Sequence, residues 1–261
     1  MKKIIDLALC AAICLSLVSC GTKTAETPTA DTANDSSKNY VIATDKGFSP
    51  FEFQDADGNI VGIDMEILDA IAKDQGFTYD LQYIGWDAAI AACQAGQADG
   101  MIAGASITDD RKSTGWIFSD GYFDATQGMA VAADSDITGF ADMKGKKMAV
   151  KNGTMSNEYA ESIKNEYGFK IVTFSTSPDM YQAVMGGQVD ACLDDTPILK
   201  YNIKSGELAL KFVEGTENEP TRYGFAIFDK SNQELIDLFN EGLKNIRENG
   251  KYDEIIAEYL G

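Results

Sequence analysis

The chain has 261 residues and a net charge of −19, with 22 basic against 41 acidic residues and no histidine. Length allows one large domain or two small lobes around a substantial core. The charge argues against a nucleic-acid partner, which needs a basic face, and the lack of histidine excludes Ser-His-Asp and Cys-His catalysis and the commonest zinc ligand.

In chain order, Lys2 and Lys3 precede an apolar run, Leu7 to Val18, too short to span a bilayer as a mature helix. It ends in Leu17-Val18-Ser19-Cys20, which resembles a bacterial lipobox. Residues 1–19 are read as a signal peptide and Cys20 as the lipidated residue, so the protein is expected to be held on the outer face of a membrane by its N-terminal lipid, in a Gram-positive envelope or a periplasm. Residues 20–38, rich in Thr, Ala, Ser, Asp and Asn, cannot bury surface and read as a flexible tether. Of the mature cysteines, Cys93 falls in a helical pattern and Cys192 in a strand pattern, both among apolar neighbours, and both are expected as buried free thiols.

From Asn39 strands alternate with helices. The first strand is Tyr40-Val41-Ile42-Ala43-Thr44, and a hairpin follows around Asp57-Gly58-Asn59. Apolar residues at 63, 67, 68, 71 and 72 form a helical stripe closed by Gly76. A strand at 79–84, a helix from Trp86 to Gly96 and a strand at 99–104 complete an α/β unit with a mainly parallel sheet. The theme restarts with a strand at 146–150, a helix closed by Gly168, a strand at 170–174, a helix entered through Pro178, a strand at 189–193 and a helix entered through Asp195 or Thr196. Two extended stretches, 121–133 and 217–228, separate the themes as crossovers. A final amphipathic helix carries Leu235, Ile236, Leu238, Phe239, Leu243 and Ile246 on one face, and a short terminal helix is expected to pack back on the first lobe.

Two α/β lobes joined by two crossovers leave one cleft, and ligands at open α/β sheets sit outside the carboxyl ends of strands. Those ends supply Asp45 and Phe48; Gly104, Ser106 and Arg111; Lys151 and Thr154; and Asp194 and Asp195, with Trp86 opening a helix nearby. Both charge signs plus aromatic rings suit a zwitterion on an apolar stem: an arginine fork for a carboxylate, a carboxylate for an ammonium, rings over methylenes.

Residues 40–261, through "ATDKGFSPFEF", "GIDMEILDAIAK", "AGASITDDRK", "FSDGYF", "MKGKKMAVKNGT", "VDACLDDTP" and "IRENGKYDEI", resemble the amino-acid-binding family of extracellular solute-binding proteins, family 3, which feed ABC importers. The resemblance implies a two-lobe periplasmic-binding-protein-like α/β fold, with lobe 1 from 39–124 and 223–261, lobe 2 from 125–222, and hinges near Tyr122–Thr126 and Glu219–Tyr223. It implies that Arg111, with backbone and hydroxyl groups at Gly104 and Ser106, holds an α-carboxylate, and Ala103 is counted among the ligand-binding residues. Asp195 and the Gly104 carbonyl would hold the α-ammonium, and Phe48 and Trp86 would enclose the stem. Asp45, Lys151, Thr154 and Asp194 would face the side-chain end. The implied partners are a free amino acid and the transmembrane subunits of an ABC permease. A monomer without cofactor or metal is expected; the "DADGN" stretch reads as a hairpin turn, since Gly58 is misplaced for a calcium loop. Lys151 argues against a cationic ligand side chain, whereas Asp45 and Asp194 argue the other way; the reading is a neutral polar amino acid, glutamine-like. In glutamine binders of the family a histidine precedes the second-lobe aspartate and glycine follows the threonine, whereas here Asp194 and Met155 stand there.

Competing readings are that Arg111 pairs with Asp109, that Asp195 only caps a helix, that Phe48 and Trp86 are core like Phe51, and that Lys151 is solvated. An enzyme on the same scaffold, cyclohexadienyl dehydratase-like, would need Asp194 as its acid, and a sensory or adhesive lipoprotein is the other rival.

Overall fold

The apolar run after Lys38 forms strand β1, Asn39–Thr44, inside a five-stranded sheet ordered β4-β1-β5-β14-β6. This structure is a computed structural model that describes residues 38–261. The expected signal peptide, the lipidation at Cys20 and the tether up to residue 37 lie outside the described residues. Lys38, read as the last tether residue, is already tied in: its Nζ pairs with Glu234 at 2.7 Å and its carbonyl accepts the Thr78 N–H at 3.1 Å.

The first α/β unit continues with a hairpin, β2 (Phe53–Gln54) and β3 (Ile60–Val61), then α1 (Ile63–Gln75), β4 (Thr78–Tyr83), α2 (Trp86–Gln94), β5 (Gly100–Met101), a short helix α3 (Asp109–Ser113) and β6 (Ile117–Phe118). Crossover strand β7 (Phe123–Ala125) leads to β8 (Gln127–Ala132), β9 (Lys147–Lys151), α4 (Met155–Tyr167), β10 (Lys170–Phe174), α5 (Ser177–Met185), β11 (Ala191–Asp195), α6 (Thr196–Lys204) and β12 (Leu210–Val213). The return crossover β13 (Thr221–Tyr223) leads to β14 (Ala226–Ile227), α7 (Gln233–Glu248) and α8 (Lys251–Leu260).

The second sheet runs β10-β9-β11-β8-β12 and repeats the plan of the first. In each, three neighbouring strands are parallel, and one antiparallel strand arrives from a crossover: β14 between β5 and β6, β8 between β11 and β12. Each sheet therefore takes one strand from chain that has just left the other lobe. The crossovers pair with each other, Phe123 opposite Tyr223 and Ala125 opposite Thr221, as an antiparallel ribbon.

The predicted stripe of α1 is fully inward: Ile63, Ile67, Leu68, Ile71 and Ala72 pack in one core with Leu235, Ile236, Phe239, Leu243 and Ile246 of α7. Each large side chain buried there contributes about 1.5–3 kcal/mol. Gly76 ends α1 in the left-handed conformation, with its N–H on the Ala72 carbonyl. α8 returns to α1, with Ile255 in that core and the Tyr259 hydroxyl donating to Glu66 at 2.6 Å. Cys93 and Cys192 are buried and unbridged. No helix among the described residues is long and apolar enough to cross a membrane.

Candidate functional site

The chain after β5 turns sharply at Gly104, whose φ of +55° favours glycine; a Cβ there would lie 2.6 Å from the Phe48 ring. Its N–H donates to Asp64 Oδ2 at 2.9 Å, so the amide expected to serve a ligand carboxylate is already committed behind the wall. Ser106 is better placed. It faces Tyr223 as a non-hydrogen-bonded antiparallel pair, because the flanking bonds run from Ile107 N–H to the Arg222 carbonyl and from Gly224 N–H to the Ala105 carbonyl. Its own N–H and C=O therefore point away from Tyr223, and the C=O accepts Arg111 Nη1 at 2.9 Å.

Arg111 rises from α3, where the Thr108 side chain caps the helix by accepting the Arg111 N–H at 3.1 Å. Its guanidinium is buried at 5 % exposure, and Nη2 donates to the Gly153 carbonyl of the opposite lobe at 3.3 Å. Trp86 and Trp116, themselves in contact with centroids 6.2 Å apart, both lie against it, with Cζ 5.2 and 5.1 Å from their centroids. The surface-cation reading fails: Asp109 is exposed and pairs with Lys112 instead. Two carbonyls occupy a group with five N–H donors, and burial lowers its pKa while Glu158, Asp195 and Asp110 pull it up.

On the facing wall, β11 ends in Asp194 and Asp195, both buried. Asp194 Oδ2 accepts from Ser177 Oγ at 2.8 Å and from the Tyr181 hydroxyl at 2.5 Å, and Oδ1 accepts the Asp195 N–H at 2.9 Å. Its carboxyl, expected at the side-chain end of a ligand, is thus spent on its own lobe. Asp195 precedes α6 but makes no side-chain cap. It accepts instead from Gln127 Nε2 at 2.7 Å and from the Tyr223 hydroxyl, which orients it toward the cleft.

Lys151, at the end of β9, crosses the cleft and pairs with Asp45 at the end of β1, both almost fully buried. Its Nζ lies 5.4 Å from the Phe48 centroid and 5.7 Å from that of Trp86, within reach of both rings. Trp86 Nε1 also donates to the Gly153 carbonyl at 3.3 Å, so one lobe-2 carbonyl receives two lobe-1 side chains. Thr154 caps α4 through the Asn157 N–H and donates to the Lys151 carbonyl at 2.8 Å. Phe51 lies in the core, edge-on to Phe123 and Tyr223, and only Phe48 of the pair lines the cleft.

These groups close around a small cavity of about 20 Å³ between the lobes, little more than the space of one water molecule. It brings together Asp45, Phe48, Trp86, Ala103, Gly104, Ser106, Arg111, Lys151, Thr154, Asp194 and Asp195, and adds Met155. The supporting residues Gln127, Tyr223 and Trp116 were not anticipated. Tyr223 and Gln127 stood in stretches read only as crossovers, and Trp116 carries no motif that points at Arg111.

The profile of the bacterial extracellular solute-binding proteins, family 3, matches residues 40–261. The chain belongs to that family. Among relatives of this solute-binding protein, the arginine-binding extracellular protein ArtP of Bacillus subtilis is 29% identical over 260 residues, 100% of this chain and 98% of that one. Substrate-binding domain 2 of Lactococcus lactis GlnP, solved in an open conformation, is 41% identical with a TM-score of 0.61, covering 86% of this chain and 96% of that one. The arginine-, lysine-, histidine-binding protein ArtJ of Geobacillus stearothermophilus is 35% identical with a TM-score of 0.77, over 86% of this chain and 96% of that one.

The carboxyl of Asp195 in this solute-binding protein is pushed from its ordinary 3.8 to about 6, by burial first and by Asp194 second, against hydrogen bonds from Tyr223 and Gln127 and the charge of Arg111. Between those two values the folded protein keeps a proton that the unfolded chain has released. This group's contribution to stability therefore falls as pH climbs through that window and levels off above it. Urea unfolding across the window should show the wild type losing up to about 3 kcal/mol relative to Asp195→Asn. A difference that stays constant with pH would mean that Asp195 titrates normally in the fold.

Proposed function

We propose that this protein captures a neutral polar amino acid, glutamine, outside the cell and delivers it unchanged to the transmembrane subunits of an ABC permease. In this reading it is a monomer held at the membrane by lipid on Cys20. Arg111 and Ser106 take the α-carboxylate, Asp195 and the Gly104 carbonyl take the α-ammonium, and Phe48 and Trp86 cover the stem. Closure turns lobe 1 (39–124 and 223–261) against lobe 2 (125–222) about the β7/β13 ribbon, and binding energy favours the shut form that a permease recognises.

The observation that carries the ligand class is the buried Asp45–Lys151 pair at the far end of the pocket. It offers one acceptor and one cationic donor side by side, and a carboxamide presents the matching donor and acceptor. A cationic side chain would have to approach the Lys151 ammonium, and a carboxylate would meet Asp45; each mismatch desolvates a like charge. Related scaffolds carry either ligand: an ancestral arginine-binding protein, 33% identical, has been solved bound to arginine and bound to glutamine. Turnover is disfavoured because Asp194, the acid it would need, is occupied by Ser177, Tyr181 and a backbone amide.

A thermal-shift screen followed by calorimetry with glutamine, glutamate, arginine, lysine and histidine tests this, since a ligand that binds only the native state raises its melting temperature. Glutamine should bind most tightly and be recovered intact. Lys151→Met should release Asp45 and move the preference toward arginine and lysine. Tighter binding of arginine than glutamine by the wild type would overturn the ligand, and an unchanged ranking in the variant would remove Lys151 from selection.

A further inference from the structure

Behind the pocket wall two carboxyl side chains, Glu52 and Asp64, are wholly shut off from water. Neither lines the cleft. Glu52 closes the turn that carries Phe48: the Phe48 N–H donates to the Glu52 carbonyl at 2.9 Å and the Glu52 N–H returns to the Phe48 carbonyl at 3.3 Å. Asp64 is the second residue of α1, and its N–H donates to the Phe51 carbonyl at 3.0 Å. Gly62 lets these segments press together, since at its φ of +127° a Cβ would lie 2.3 Å from the Phe51 carbonyl oxygen. The result sets the two carboxyl groups within hydrogen-bond reach of each other.

Their polar accounts do not close if both are ionised. Asp64 Oδ2 accepts the Gly104 N–H at 2.9 Å. Among the described residues, Asp64 Oδ1 and both oxygens of Glu52 lack an N–H or O–H donor of ordinary geometry; the Tyr122 hydroxyl, likewise unpaired, lies near enough to Asp64 to favour its anion. Two buried carboxylates in contact repel, and an unpaired anion is costly to bury. One proton between them removes both penalties. Asp64 is the better anion, because it lies in the first turn of a helix and accepts a backbone amide. Glu52 has no such support; the charged groups facing it are Asp64, Asp45 and Lys151, while the Tyr122 hydroxyl stands beside Asp64.

We propose that Glu52 is a positioning residue: its protonated carboxyl donates to Asp64, which holds the Gly104 amide, so that one chain of hydrogen bonds ties the turn bearing Phe48 to the strand end bearing Gly104. Those two pocket walls touch, as the glycine requirement at 104 records. A proton that never meets the ligand thus sets the spacing between an aromatic cover and the Gly104 carbonyl. The protonation state stands apart from the ligand reading; only the affinity consequence rests on it.

Infrared spectroscopy of the protein near neutral pH, in water and in heavy water, tests the state directly. The wild type should show the carbonyl stretch of an un-ionised carboxylic acid, shifted by deuteration and missing in Glu52→Gln. Affinity for the amino acid found by the screen tests the role. Glu52→Gln keeps a donor toward Asp64 and should stay within about twofold of the wild type, whereas Glu52→Ala strands Asp64 and should bind about tenfold more weakly. If Glu52→Ala does not fold, the spectrum and Glu52→Gln decide. Absence of the acid band, or a loss in Glu52→Gln as large as in Glu52→Ala, would overturn the proposal. If the wild type binds no amino acid, the spectrum alone decides, separately from the ligand reading.

Discussion

Arg111→Ala is expected to weaken binding of every amino acid ligand by at least ~3 kcal/mol, roughly a hundredfold or more in Kd. The side chain is buried, charged, and hydrogen-bonded to two carbonyls, of Ser106 and Gly153. Most of its donors are therefore free for an incoming carboxylate, and a bidentate contact there is made in a site with little water to screen it. Truncation would leave the ligand carboxylate facing the Ser106 amide alone. Calorimetry against a melting curve separates the two ways the variant could lose affinity. A fold intact by its melting temperature with near-native Kd would end the anion-clamp assignment.

Asp195→Asn should cost about 2–5 kcal/mol of affinity, again for all α-amino acids alike. The substitution is close to isosteric, so packing is preserved and charge is the main change. It also spoils the local hydrogen bonding: Gln127 Nε2 and the Tyr223 hydroxyl both donate to the present carboxylate, and an amide has one oxygen for the two of them. The side chain would meet a ligand ammonium as a neutral dipole in a buried place, where an unpaired cation is expensive. The measurement is a titration panel at fixed pH. Loss confined to one amino acid would place Asp195 at the side-chain end rather than at the common α-amino group.

The α/β alternation was readable because each lobe repeats it and because α1 and α7 carry clean apolar stripes. The residues that meet in the pocket were readable because they follow strands, where such sheets gather ligands, and because they lie in family motifs. What escaped was pairing. Asp45 and Lys151 are far apart in the chain and meet across the cleft, so both read as groups waiting for a ligand. Asp194 read as a pocket acid, whereas Ser177 and Tyr181 of α5 claim it. The Gly104 amide read as free until Asp64 appeared beneath it. Strands β6 and β12 were missed because each is a short sheet edge, held on one side by an antiparallel strand that comes from a crossover. A local pattern cannot record a neighbour supplied from the far end of the chain.

The chain has only two tryptophans, Trp86 and Trp116, and both rings lie against the Arg111 guanidinium. The indole emission of the whole protein therefore originates at one spot, beside the group proposed to receive the ligand carboxylate. Excitation at the red edge of the indole band leaves the 11 tyrosines dark, so their emission does not dilute it. Neutralising that cation with an anion, or drawing it off one ring, changes the electrostatic field on both fluorophores at once. On the proposed function the two indoles would report occupancy of the Arg111 site, and a Trp116→Phe variant would leave Trp86 as a single reporter facing the cleft.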